Sequence, residues 1–186
     1  MKRLFAAVKS HPDQGFINQY RILQQSLQHH TIKWVEEENF HITIKFFGET
    51  MEAGIPAICD VLKSVALSTP DFSFRFEGLG IFGSSYNPKV IWAGIQPHEE
   101  FSKMIIGLKH ELESLGFPAD RQNVVPHLTL GRIRSVRDRQ HLQKVLDTHQ
   151  QMSSQYMMAG KLILFESILF HSGPEYHRIN SFPLKK

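Results

Sequence analysis

Phe40-His41-Ile42-Thr43-Ile44-Lys45-Phe46-Phe47-Gly48 decides the fold, because Val125-Pro126-His127-Leu128-Thr129-Leu130-Gly131-Arg132 repeats its pattern at an interval close to half the chain. Successive side chains of a strand point to opposite faces, so residues two apart share a face. His41, Thr43 and Lys45 are expected on one side of the first strand, and Phe40, Ile42, Ile44 and Phe46 on the other. In the second, His127 and Thr129 oppose Leu128 and Leu130. Each strand then buries an apolar side and presents an imidazole beside a hydroxyl. Two such halves facing each other make a pseudo-symmetric, two-lobed chain with two histidines and two threonines in the groove between.

Outward from these strands the periodicity alternates between helix and sheet. Phe16, Tyr20, Leu23 and Leu27 recur at helical spacing after Pro12, as do Ile55, Ile58, Leu62 and Val65, and Phe101, Ile105, Leu108, Leu112 and Leu115. Gly116 follows the third as a helix cap, and a weaker fourth helix is read from Ser135 through Leu142, Val145 and Leu146. Strand composition marks residues 3–8, 40–47, 72–79, 90–95, 124–133, 162–170 and 176–179. The class is α+β, with no low-complexity linker, and residues 1–186 are read as a single domain. Gly80-Ile81-Phe82-Gly83-Ser84-Ser85-Tyr86-Asn87-Pro88 is rich in turn formers and reads as a hairpin connection.

Composition narrows the class of protein. At 186 residues, 41% hydrophobic and 21% charged, the chain can bury a core without disulfide or metal support. One cysteine, Cys59, excludes an intramolecular disulfide and a cysteine-based zinc site. A net charge of +3 is compatible with a polyanionic partner without requiring one. The apolar run after Lys2-Arg3 is too short for a signal peptide and no stretch is long enough to span a bilayer, so the expectation is a cytoplasmic monomer.

The paired motifs suit chemistry on a phosphodiester. Histidine, with an ordinary pKa near 6.5, serves as either base or acid near neutrality. One neutral imidazole would take a proton from attacking water, and an imidazolium across the phosphorus would protonate the departing ribose oxygen. Threonine hydroxyls can hold the non-bridging phosphate oxygens between them. The scheme calls for no metal, and the histidines lack the helical i, i+4 spacing with glutamate seen in zinc hydrolases. On the residues alone, hydrogen-bonded structural histidines remain the other reading. A third triplet, His29-His30-Thr31, is set aside as a helix end on a solvated face.

At these residues the sequence resembles the two-histidine (2H) phosphoesterase superfamily, and within it the bacterial and archaeal RNA 2′,3′-cyclic phosphodiesterases, also called 2′-5′ RNA ligases. The resemblance runs in order through Arg3-Leu4-Phe5-Ala6, Trp34-Val35, the segment from Phe40 to Glu49, Phe76-Glu77-Gly78-Leu79-Gly80-Ile81-Phe82 and Val90-Ile91-Trp92-Ala93-Gly94. It continues through Pro126-His127-Leu128-Thr129-Leu130-Gly131-Arg132, Leu164-Phe165-Glu166-Ser167 and Ser172-Gly173-Pro174-Glu175-Tyr176. It implies two lobes of antiparallel sheet with outer helices and an active cleft between them. By the same resemblance His41 is the proton donor, His127 the acceptor, and Thr43 and Thr129 bind phosphate. The implied reaction opens a terminal 2′,3′-cyclic phosphate of RNA to a 2′-phosphate without metal or nucleotide cofactor. Some family members also join tRNA halves reversibly through a 2′-5′ linkage, without ATP.

Other positions stay open at this level. Arg132 matches the family's phosphate-neutralising arginine, but strict alternation places it with Leu128 and Leu130 unless a bulge at Gly131 turns it inward. Lys45, in phase with His41, is a candidate phosphate neighbour rather than a catalyst. Phe82 and Tyr86 are candidates for stacking on a base, or simply loop aromatics covering the core. Arg121, Arg134, Arg137 and Arg139 flank the second motif, either tracking an RNA backbone or lying on a solvated face. Two alternatives accompany the leading function: a cyclic phosphodiesterase of small nucleotides, and a non-catalytic RNA-binding module.

Overall fold

The computed structural model describes residues 1–84, 86–117, 125–170 and 173–186. Arg121 lies outside the described residues. The chain runs β1 (Lys2–Lys9), α1 (Gln14–Ser26), β2 (Thr31–Trp34), β3 (His41–Thr50), α2 (Ile55–Ser68), β4 (Phe72–Ser84), β5 (Asn87–Gln96), α3 (Glu99–Ser114), β6 (Leu128–Ser135), α4 (Arg139–Thr148), β7 (Met157–Ala159), β8 (Lys161–Leu169) and β9 (Pro174–Pro183). The strands form one antiparallel sheet in the order β7-β4-β5-β6-β3-β1-β8-β9, with β2 added alongside β6. Its two halves, β3-β1-β8-β9 and β2-β6-β5-β4-β7, meet where β3 and β6 pair at Ile42 and Leu128. Those are the central residues of the two His-x-Thr triplets, so the lobes join at the repeat itself.

The helices cover one side of the sheet, and the reason is in their spacing. Phe16, Tyr20 and Leu23 of α1, Ile58, Leu62 and Val65 of α2, Phe101, Leu108 and Leu112 of α3, and Leu142 and Leu146 of α4 join a single core with Ile42, Ile44, Leu128 and Leu130. Each such side chain contributes roughly 1.5–3 kcal/mol by leaving water. The opposite side of β1 and β8 carries a second, smaller cluster of Phe5, Ala7, Ile163 and Phe165. The helix ends follow their chemistry. Asp13 caps α1 by accepting from the Gly15 and Phe16 amides, and its other oxygen accepts from Gln155 at 2.6 Å. Gly116 takes φ +80° just beyond α3, as a helix-stop glycine should.

The fourth helix starts later than its pattern suggested. Asp138, accepting from the His141 amide, is the N-cap in place of Ser135, which ends β6. His30 also departs from expectation. It is buried, with Nδ1 accepting from the Arg137 amide at 3.3 Å and Nε2 lying 3.1 Å from His141 Nδ1. His29 and Thr31, the two motif positions of the His29-His30-Thr31 triplet, are exposed at the helix end as expected, and only the intervening His30 ties the α1–β2 turn to the entry of α4.

Tyr20 links α1 to the site-bearing strands. Its hydroxyl lies 2.7 Å from the Val35 carbonyl and 3.1 Å from the Leu130 carbonyl, which also accepts from the Val35 amide at 2.9 Å. Replacing Tyr20 by phenylalanine removes a buried donor and leaves carbonyls short of a partner. Its expected cost is about 1–3 kcal/mol, measured as a lower midpoint in urea at unchanged m-value.

Candidate active site

A β-bulge in each lobe shapes the site. In β3, Ala7 pairs with Thr43 and Ala6 with Lys45, so Ile44 is an extra residue pointing into the core. In β6, Trp92 pairs with Thr129 and Ile91 with Gly131, so Leu130 is the extra residue, also in the core. A bulge of this kind turns two successive side chains to one side and shifts the phase of everything after it. Arg132, opposite Val90 and exposed, is consequently returned to the face of Thr129, while Ile133 is buried. Gly131 occupies the inward position because a Cβ there would lie 2.8 Å from Ile32 Cγ2 and 2.9 Å from Trp34 Cε3.

The same shift in β3 corrects the placement of Lys45. It sits opposite Ala6 on the core side and is only 8% exposed, whereas strict alternation had put it beside His41. Phe46 moves the other way. Expected among the buried residues, it pairs with Phe5 and is 57% exposed on the His41 and Thr43 face. The two lobes thus match at histidine, threonine and bulge, then differ in the next outward residue, Phe46 in one and Arg132 in the other.

Each imidazole is held by the same device. His41 Nδ1 is 2.6 Å from the Asn39 carbonyl and His127 Nδ1 is 2.7 Å from the Val125 carbonyl, in both cases two residues upstream. A carbonyl can only accept, so Nδ1 carries the hydrogen and Nε2 is left with the lone pair or the catalytic proton. Aromatic rings fix the ring planes. Phe5 and Tyr176 lie 5.1 and 5.2 Å from His41, centroid to centroid. Phe82 and Trp92 lie 4.7 and 6.2 Å from His127 and stack on each other at 5.1 Å. Gly80 lies beneath the indole, where any Cβ would meet Trp92 Cζ2.

Antiparallel pairing at Ile42 and Leu128 sets His41 level with Thr129 and Thr43 level with His127. The electrostatics agree with that proximity. Burial pushes the His41 imidazolium down to a pKa of about 4, helped by the positive charges of Arg132, His127 and Lys9 and opposed by the Asn39 carbonyl. Burial and Arg132 hold His127 below its ordinary value as well, against the Val125 carbonyl. Burial also raises Tyr176, and Arg132 works against it. One guanidinium is therefore felt by both histidines and by the tyrosine beside His41. A small cleft of about 40 Å³ opens next to His41 between Lys9, Glu38, Asn39 and Tyr176.

Of the residues singled out from sequence, His41, His127, Thr43, Thr129 and Arg132 share one face of the joined strands, and Phe82 packs against His127. Lys45 does not belong to that group. Tyr86 sits at the β4–β5 hairpin tip, 77% exposed, with Arg139 over its ring at 5.7 Å. Phe46, Phe5, Trp92 and Tyr176 were not recognised as site residues. Their phase depends on bulges or on pairing between distant strands.

A family model described as LigT like phosphoesterase matches residues 9–92 and 95–176, nearly the entire chain. The chain belongs to the LigT-like phosphoesterases. Its LigT-like halves, as matched, divide at the β5 end and so place one His-x-Thr strand in each. Among curated relatives of this phosphoesterase, the RNA 2′,3′-cyclic phosphodiesterase of Methanothermobacter thermautotrophicus is 31% identical over 184 residues, covering 98% of both chains. That of Aeropyrum pernix is 32% identical over 157 residues, covering 83% of this chain and 88% of its own. Among solved structures, TT0787 of Thermus thermophilus superposes with a TM-score of 0.80 at 23% identity over 98% of each chain. Apo LigT of E. coli gives 0.74 at 17% identity over 100% of this chain and 98% of its own. These two share the LigT-like fold. Among the described residues no helix is long and apolar enough to cross a membrane, and none of them form a cluster of three or more His, Cys, Asp or Glu suited to a metal.

Proposed function

We propose that this chain hydrolyses the terminal 2′,3′-cyclic phosphate of RNA to a 2′-phosphate by metal-independent acid and base catalysis between His41 and His127. The observation that carries the reading is that both imidazoles are tied at Nδ1 to a backbone carbonyl, leaving two Nε2 atoms on one face beside two threonines and Arg132. Relatives named RNA 2′,3′-cyclic phosphodiesterase at about 30% identity, and a 3′-AMP complex of the E. coli LigT structure, support the substrate class.

In this mechanism water attacks phosphorus in line with the ribose 3′-oxygen. Neutral His127 accepts the water proton at Nε2 as the new P–O bond forms. The P–O3′ bond breaks, and imidazolium His41 delivers its Nε2 proton to the leaving oxygen, in the roles the family implies. The two histidines end with their protonation states exchanged and the phosphate attached only at the 2′-oxygen. Thr43, Thr129 and Arg132 hold the non-bridging oxygens, where charge accumulates in the transition state. With an RNA 5′-hydroxyl in place of water the same steps give a 2′-5′ linkage, the route by which tRNA halves would be joined without ATP. The decisive assay is product analysis of an RNA ending in 2′,3′-cyclic phosphate, with and without EDTA. A 2′-phosphate formed at equal rate in chelator is expected. A 3′-phosphate, or loss of turnover on chelation, would overturn the scheme.

A further inference from the structure

β3 and β6 are antiparallel and meet at Ile42 and Leu128, so beyond Thr129 β6 runs past the level of His41 and away from His127. Arg132 and then Arg134 follow on that course. Ile133 between them is buried, and Arg134 is exposed on the side of Arg132, about 6.7 Å further along the strand. Pairing with β2 passes from Ile133 directly to Ser135 and leaves Arg134 as the extra residue of another bulge. That geometry turns Arg134 and the exposed Ser135 to one side.

Neighbouring segments add charge along the same course. In β5, Phe82 pairs with Val90 and Gly83 with Pro88, so Lys89 is an extra residue there, exposed beside the Val90 that stands opposite Arg132. At the β4–β5 hairpin tip Arg139, the first residue of α4, lies over the ring of exposed Tyr86. Among the described residues no carboxylate pairs with Arg134 or Lys89. In the other lobe Lys2 bridges Glu166 at 2.8 Å and Arg3 stands opposite Glu49. A row of cations that leads away from a phosphate site and ends at an exposed aromatic ring suits the backbone of a single-stranded nucleic acid.

We propose that Arg134 binds the first internal phosphodiester behind the cyclic end, so that an RNA strand leaves the site along β6 toward Tyr86 and is taken in preference to a mononucleotide. This rests on the proposed function for the direction of the strand. There His41 faces the leaving ribose oxygen, so the ribose, and the phosphodiester on its 5′-oxygen, lie on the side toward which β6 continues. Arg132 holds the reacting phosphate, and the two-residue step to Arg134 matches the reach of one nucleotide. Arg134 touches no reacting atom in this arrangement. It contributes binding that a nucleoside 2′,3′-cyclic phosphate, having no second phosphate, cannot use.

The test measures kcat/KM for adenosine 2′,3′-cyclic phosphate, and for a dinucleotide and a four-nucleotide RNA ending in the same group, in wild type, Arg134→Ala, Arg134→Lys and the exposed control Lys63→Ala on α2. Arg134→Ala is expected to lower the dinucleotide and four-nucleotide values alike, roughly three- to tenfold and through KM, and to leave the mononucleotide within about twofold. The slope of log kcat/KM against log salt should become shallower by about 0.7 for both RNAs, the value for one phosphate contact on a single strand. Arg134→Lys should keep the wild-type slope, and Lys63→Ala should change neither rate nor slope. Equal losses on all the substrates, a loss confined to the four-nucleotide RNA, no loss on RNA, or an unchanged slope in Arg134→Ala would overturn the assignment. If wild type turns over none of the substrates, the proposed function fails. Equilibrium binding of the same RNAs carrying a 2′-phosphate, by fluorescence anisotropy in the same variants, then decides Arg134 by the same affinity ratio and salt slope.

Discussion

Replacing either His41 or His127 by alanine is expected to lower kcat on an RNA cyclic phosphate by roughly 10²–10⁴-fold, the contribution of a positioned acid or base. The double variant should fall little further than the worse single one, because proton removal and proton delivery belong to one displacement. Neither change should unfold the protein. Both rings are only partly buried at the cleft, and each is fixed by a single backbone carbonyl and two flanking aromatic rings. Circular dichroism and urea midpoints close to wild type would confirm that the loss is chemical. A single variant that keeps wild-type turnover would refute the two-histidine mechanism. Glutamine at His41 or His127 should fail like alanine, since it can donate a hydrogen bond but does not exchange a proton near neutrality.

Arg132→Gln is expected to lower kcat/KM by about 10²-fold, the usual consequence of removing one preorganised group from a developing anionic charge. Lysine should recover only part of the loss, because a point charge cannot reproduce the guanidinium fork. A pH profile separates this role from a merely structural one. Burial together with Arg132 holds both imidazolium forms down, so the bell of kcat/KM for the wild type should centre on the acid side of 6.5. Taking away a positive charge makes each imidazole easier to protonate. Both limbs should therefore move to higher pH in Arg132→Gln, toward but not beyond the ordinary histidine value, since burial remains. A profile that keeps its position while the rate falls would mean that Arg132 does not face the histidines.

Much of this architecture could be read without coordinates. The amphipathic spacing of Phe16, Tyr20 and Leu23, or of Ile58, Leu62 and Val65, is a local property, and those helices form where the pattern places them. The alternation of His41, Ile42 and Thr43, and its repetition at His127, Leu128 and Thr129, is equally local and held as far as the first bulge in each strand. Beyond that point local reasoning failed in opposite ways for two residues. Lys45 was placed in the site and lies on the core side, while Phe46 was placed in the core and lies in the site. Two short strands, β2 and β7, were not recognised. Each holds its place through pairing with a distant strand, β6 and β4 respectively, and four or three residues carry too little periodicity to announce it.

The sequence by itself determined the α+β class, the paired His-x-Thr strands and the identity of the two imidazoles, because each of these depends on the order and character of neighbouring residues. Only the tertiary structure decided that Arg132 turns in and Lys45 turns away, and that Nδ1 of each histidine is occupied. A bulge changes the face of every later side chain through one unpaired residue. Whether a residue is unpaired depends on the partner strand, and that strand is contributed by a remote part of the chain.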